Sequence, residues 1–187
     1  MEQIKTFYAT SVKEFKKTST IAFLGIMAAI AIVLSSVASI NVGPYVKIGF
    51  SSIPNRLVDA TFGPVVGFIF GGTLDLIKFL IKPDGAFFLG FTFDAALAGA
   101  IFGTVMYKRP LSIVRLFFAE LLLKLIINCG FNTLWISMLY GKSWMALLPA
   151  RLIKNACQLP VDTLIMYLVL KYLSPYIKKY ITGVRHH

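Results

Sequence analysis

Arg151, Lys154, Asn155, Gln158 and Asp162 interrupt a long apolar stretch, ARLIKNACQLPVDT. A guanidinium, an ammonium, two amides and a carboxylate can together hold an anionic solute. The guanidinium offers a planar fork to carboxylates, and the amides both donate and accept hydrogen bonds. At about 100° per residue these positions share one narrow helical face. Pro160 falls opposite, where it can kink the helix. A second stripe, Glu120, Lys124, Asn128 and Asn132, steps by four residues, and Trp135 lies close to its last two members. Asn128, Asn132 and Trp135 are expected level with Arg151, Lys154 and Asn155 of an antiparallel partner. Glu120 and Lys124 stand at the spacing that favours a mutual pair. Asp75 with Lys78, and Arg56 with Asp59, are expected to pair locally as well. Asp94, in FTFDAALAG, has no local cation and must find its partner across the bundle.

The elements that carry these stripes are dictated by the solvent. Of 187 residues, 57% are hydrophobic and 14% charged, against roughly 45–50% and about 25% in soluble domains. Apolar runs of about 20 residues recur, each able to cross a hydrocarbon core about 30 Å thick. The expected fold is an all-α polytopic membrane protein, a six-transmembrane-helix bundle. Its spans are expected near 19–40, 50–61, 64–81, 86–107, 111–139 and 144–173, separated by NVGPY, FGP, KPDG, KRP and YGKS. The second is short for a full crossing. Residues 1–18 are expected to form a cytoplasmic N-terminal segment, 19–180 the bundle, and 181–187 a disordered tail whose His186 and His187 look like the remnant of a tag. The opening MEQIKTFYATSVKEFKK lacks the pattern of a cleavable signal. It reads as an amphipathic interfacial helix with Ile4, Phe7 and Phe15 against lipid headgroups.

The net charge of +11 follows topology rather than nucleic acid. Lys5, Lys13, Lys16 and Lys17 precede the first span, Lys108, Arg109 and Arg115 cluster mid-chain, and Lys171, Lys178 and Lys179 lie at the end. A positive-inside bias over an even number of spans puts both termini in the cytoplasm of a multi-pass cell-membrane protein. Lys47, Lys82 and Lys142 then fall outside, either as snorkelling anchors or as a funnel for an anionic solute.

A charge facing lipid near mid-bilayer costs about 2.5–3.5 kcal/mol, so the polar stripes must point inward. Interhelical hydrogen bonds alone could account for them. Yet Arg, Lys, several amides and Trp135 converge at one depth with Phe88 and Phe91 of GAFFLGFTF, the composition of an outward-facing binding pocket. Chemistry has less support. No histidine lies within the spans, Cys129 and Cys157 form no CxxC, and FGGT lacks the lysine of a phosphate-binding loop. No metal or cofactor is expected. A membrane-embedded enzyme using Asp75, Asp94 or Asp162 is the distant alternative, but no motif links those aspartates. The first span is uncharged and crowded with small residues. Ala22, Gly25 and Ala29 make a face suited either to internal packing or to docking a second membrane subunit.

Taken together, the small-residue first helix, the loop NVGPYVKIGFSSIPN and the polar last helix resemble the substrate-binding (S) components of energy-coupling factor (ECF) transporters. YVKIGFSSIPNRLVDATFGPVVGFIFGGTLDLIKF, FLGFTFDAALAGAIFG and ARLIKNACQLPVDTL look most like the folate-specific branch, over roughly Thr18 to Lys179. The resemblance implies a subunit that captures a vitamin outside, then joins a transmembrane coupling subunit and two cytoplasmic ATPases that hydrolyse ATP. It also implies docking through Ala22, Gly25 and Ala29, although the family's motif has two alanines where this chain has Gly25 and Ala29. Ligand loops in the family correspond to the segments holding Lys47, KPDGAFF and YGKSW. For a folate, Asn132, Trp135, Asn155 and Phe91 would hold the ring, and Arg151, Lys154, Lys47 and Lys82 would neutralise the glutamate tail. Asn128, Phe88 and Asp75 complete the expected substrate-binding set. Another vitamin, such as pantothenate, is the nearer alternative.

Overall fold

A chain this apolar can satisfy its backbone in lipid only by closing hydrogen bonds within itself, and helices dominate. The computed structural model describes residues 2–37, 39–41, 47–49, 51–83, 87–177 and 179. The expectations for the Lys47 side chain, for the centre of KPDGAFF and for the tail 181–187 lie outside the described residues. The helices are α1 (Glu2–Phe15), α2 (Thr18–Val37), α3 (Ser52–Phe62), α4 (Pro64–Ile81), α5 (Leu89–Met106) and α6 (Ile113–Leu123). A π-helical segment (Lys124–Phe131) leads without a break into α7 (Asn132–Tyr140), and α8 (Trp144–Ile177) follows. Between α2 and α3 a short antiparallel ribbon, β1 (Ser39–Asn41) with β2 (Lys47–Gly49), pairs Ile40 with Ile48. The first expected span, 19–40, therefore runs long: α2 ends at Val37, and Ser39 and Ile40 belong to the ribbon.

Among the described residues four helices, α2, α4, α5 and α8, are long and apolar enough to cross a membrane. At 11 residues, α3 is about 16 Å long. The unbroken run 113–140 reaches about 40 Å, more than a bilayer core. The 34 residues of α8 extend about 51 Å. Gly63, at φ +94°, makes the sharp turn between α3 and α4, and Pro64 opens α4 where its missing N–H costs nothing. Gly141, at φ +62°, ends α7 in the left-handed conformation.

Glycines set the centre of the bundle. A Cβ on Gly71 would run into the Ala95 carbonyl oxygen, and one on Gly99 into that of Gly67. The antiparallel α4 and α5 therefore touch backbone to backbone, the close approach that small residues permit in lipid. Phe62, Phe102, Leu74 and Leu116 fill the core around them.

The helix α1 forms as expected, and part of its apolar side meets protein; the Ile4 side chain lies outside the described residues. Phe7 packs edge-on to Tyr107 at 5.3 Å, and Phe15 packs against the core. The buried Ser11 hydroxyl donates to the Phe62 carbonyl at 2.8 Å and accepts from the Val65 and Val66 N–H groups at 3.2 and 3.3 Å. One side chain thus caps both helices at the α3–α4 turn. On α2, Thr20, Leu24, Met27 and Ala31 turn inward, while Ala22, Gly25 and Ala29 are exposed.

Gly71→Leu should lower stability by about 1–3 kcal/mol through overpacking. Gly25→Leu, where nothing lies within 4 Å of the added carbon, should be neutral in the isolated chain. Thermal unfolding of the two variants in detergent compares them directly.

Candidate functional site

The polar stripe of α8 points into the bundle. Arg151 is 8% exposed and Asn155 5%, whereas Leu152, Ile153, Val161 and Leu164 face outward, as does Pro160. Arg151 directs Nη1 at a single place on the neighbouring element: the Asn128 carbonyl at 3.0 Å, Asn132 Oδ1 at 2.7 Å and Thr133 Oγ1 at 3.3 Å. The π-helical segment supplies that place. Its turn is wide, so the Asn132 N–H reaches back five residues to the Ile127 carbonyl. Thr133 Oγ1 donates to the Asn128 carbonyl at 2.8 Å, which the guanidinium also engages. Asn128 Nδ2 donates to Asn155 Oδ1 at 3.3 Å, and Asn155 Nδ2 contacts Cys129 Sγ at 3.2 Å. Single π turns of this kind are frequent at functional sites.

Beside this knot stands an aromatic group with a carboxylate in it. Trp135 Nε1 donates to Asp94 Oδ1 at 3.1 Å. The Trp135 ring lies 5.4 Å from Phe88 and 6.2 Å from Phe131, nearly parallel to the latter at 18°. Phe91 meets Phe88 edge-on at 5.9 Å. Asp94 has thus found its partner across the bundle, as its isolation required. Asp75 on α4 accepts from Thr92 Oγ1 on α5 at 2.8 Å.

Asn128, Asn132, Trp135, Arg151, Asn155, Phe88 and Phe91 are therefore brought together at one end of the bundle. Lys154 is half-buried on the same face of α8, and Lys82 is exposed where α4 ends. Thr133 and Asp94 belong to the cluster but were absent from the expected binding set. Asp94 carried a signal, a buried-looking charge without a local cation; Thr133 carried none.

A second polar network lies further along the same helices. Arg56 pairs with Asp59, Nη1 to Oδ2 3.3 Å, as expected. The expected Glu120–Lys124 pair is instead two pairs across helices. Glu120 Oε1 lies 3.6 Å from Arg56 Nε, and Lys124 Nζ lies 2.7 Å from Asp162 Oδ2. Gln158 Nε2 adds a 3.4 Å contact to Asp162 Oδ1. A one-turn pair along a single helix would have left Asp162 unmatched in an apolar interior, where an unpaired charge is costly. A crevice lined by Ser52, Ile53, Arg56, Glu120, Asp162, Ile165 and Met166 adjoins this network. The α8 stripe accordingly divides in two: Arg151 and Asn155 serve the aromatic cluster, while Gln158 and Asp162 serve Lys124. Asp75, Asp94 and Asp162 are each held by a different partner, and no two form a catalytic dyad in the hydrogen bonds described. Among the described residues no group of three His, Cys, Asp or Glu side chains is arranged to hold a metal ion.

Comparison with known proteins bears on what such a cluster holds. The family described as "ECF transporter, substrate-specific component" matches residues 19–170. A protein of Clostridium novyi (strain NT) named "Folate transporter FolT" is 32% identical over 152 residues, 81% of this chain and 88% of that protein. Another of the same name from Leuconostoc mesenteroides subsp. mesenteroides is 32% identical over 165 residues, 83% of this chain and 88% of that one. A solved structure described as "Crystal structure of FolT bound with folic acid" superposes with a TM-score of 0.75. It is 34% identical and covers 80% of this chain and 93% of its own.

The two-pair network sets a stability test. Lys124→Met leaves the partly buried Asp162 without its cation and should cost about 2–3 kcal/mol, below the loss at a fully buried pair, whereas Lys124→Met with Asp162→Leu should recover most of that loss. Chemical unfolding of the single and double variants in detergent gives the comparison.

Proposed function

The chain belongs to the substrate-specific components of ECF transporters, and we propose that its ligand is a folate. Proteins of this family are transport subunits that bind a vitamin and work with a membrane coupling subunit and ATPases, not enzymes. In this reading α2, α4, α5, the run 113–140 and α8 cross the membrane, and α3, too short to cross alone, completes the sixth pass together with the ribbon that precedes it. Residues 1–18 and the chain's end lie in the cytoplasm with most of the lysines, and 19–180 form the bundle. The cluster of Arg151, Asn132 and Trp135 then opens to the exterior.

The observation that carries the reading is the meeting of a guanidinium, amides and stacked aromatic rings in one place, in a chain 34% identical to a folic-acid-bound neighbour. A folate needs both kinds of wall. Its flat pterin stacks on aromatic rings, and its two carboxylates call for cations with hydrogen-bond donors. Asn132, Trp135, Asn155, Phe91, Phe88 and Asn128 are assigned to the ring side. Arg151, Lys154, Lys82 and Lys47 are assigned to the tail, with Asp75 bracing α4 against α5 nearby. The exposed Ala22, Gly25 and Ala29 face of α2 is assigned to the coupling subunit, and two cytoplasmic ATPases complete the transporter.

Purified protein should bind folic acid stoichiometrically without turnover and quench the fluorescence of Trp135. Pantothenate and other vitamins should leave that fluorescence unchanged. Arg151→Ala should weaken folic acid about 10- to 100-fold, the loss expected for a charge-assisted hydrogen bond. Isothermal titration reads both, and unchanged affinity in Arg151→Ala removes Arg151 from the site.

A further inference from the structure

Asp94 is more deeply placed than its neutral donors explain. It is 4% exposed, Trp135 donates to Oδ1, and Oδ2 is buried with no hydrogen-bond donor. Burying a carboxylate oxygen without a donor is costly. One other buried carboxylate among the described residues, Asp59, also has a bare oxygen, but its second oxygen is ion-paired with Arg56. Asp94 has an indole N–H and an amide in place of an ion pair, and the Trp135 ring it bonds to packs on Phe88 and Phe131.

Its neighbours act on that carboxylate. The Asn132 side chain also hydrogen-bonds to it, and the charges of Asp75 and Arg151 are felt there. Arg151 Nη1 donates to Asn132 Oδ1, which fixes the amide with its NH2 group turned to the Asp94 carboxylate. The site thus offers a carboxylate with open lone pairs, an amide donor next to it, and aromatic faces on the side. That set matches a flat heterocycle carrying two adjacent N–H donors and, next to them, an acceptor.

We infer that Asp94 is the specificity-determining residue of this site: its carboxylate accepts the N3–H and 2-amino groups of a 2-amino-4-oxopteridine ring. The inference rests on the folate reading above and adds to it the group that reads the ring. Two parallel N–H···O bonds to one carboxylate form a fork, which is geometrically selective as well as strong. A ring without the 2-amino group leaves Asp94 underbonded in a dry pocket, and a site built to hydrogen-bond a group rejects analogues that lack it. The p-aminobenzoyl-glutamate portion of a folate has no such donor pair and would not reach this discrimination.

The test measures binding of folic acid and of its 2-desamino-2-methyl analogue to full-length protein in detergent. Wild-type protein should prefer folic acid by roughly 30-fold or more. Asp94→Asn keeps an acceptor for Trp135 but turns an NH2 group toward the ring's donors. It should lose roughly 100-fold for folic acid while its affinity for the analogue changes less than about threefold. Retained binding of the analogue shows that the variant is folded. Asp94→Ser, smaller and uncharged, should show the same loss of preference if the asparagine variant is unstable. Wild-type protein that binds folic acid but does not discriminate, or an Asp94→Asn protein that discriminates as wild type does, would overturn the assignment alone. Wild-type protein that binds no folic acid would overturn the folate reading and the assignment together.

Discussion

A guanidinium in the interior of a lipid-facing bundle must be met by acceptors from protein, because hydrocarbon offers none. Arg151 is met by a turn of helix wound wide to receive it. The π-helical segment Lys124–Phe131 presents the Asn128 carbonyl, and Thr133 Oγ1 and Asn132 Oδ1 stand at the same spot. Three acceptors on one nitrogen fix the register of α8 against the 113–140 run. They also fix the amide of Asn132, and through it the group of polar atoms beside Asp94 and Trp135. The cost of burying one cation is thereby converted into a pre-organised polar cluster.

The remaining packing keeps that register from drifting. The glycine contacts of α4 with α5 hold the helix bearing Asp94 at backbone distance from its neighbour, and Thr92 ties Asp75 across the same pair. Further along, the Lys124–Asp162 bridge joins the 113–140 run to α8 a second time, and Arg56 ties α3 to α6 through Glu120. At the turn between α3 and α4, Ser11 closes the bundle with a single hydroxyl. Apart from the glycine contacts, each of these is a polar contact in an apolar setting, and each joins one helix to another.

Much of this was legible beforehand because lipid is a simple solvent. Apolar run length located the helices, and Pro64 marked the start of α4 at its observed residue. A 100° turn per residue put Arg151 and Asn155 on the inward face that the structure shows. What was not legible depends on partners distant in sequence. The i,i+4 rule that suggested Glu120 with Lys124 describes isolated helices in water; inside the bundle, Arg56 and Asp162 compete for those groups and win. The amphipathic pattern of α1 announced an apolar face but not whether lipid or Tyr107 would cover it. The π turn has no signature in KLIINCGF and arises with the bonds to Arg151 and Thr133. Asp94 was recognisable as a charge in need of a partner, yet its place beside Trp135 required the fold.

The central claim is that the Arg151 face of α8 borders water and ligand from the exterior, and thiol accessibility addresses it most directly. The background carries Cys129→Ala and Cys157→Ala, and thiols are introduced singly by Asn132→Cys, Lys154→Cys and Leu164→Cys. Intact cells are then treated with a membrane-impermeant maleimide. The account predicts labelling at positions 132 and 154 that folic acid slows, with no labelling at 164. Unreactive thiols at 132 and 154, or labelling there that folic acid leaves unchanged, would contradict it.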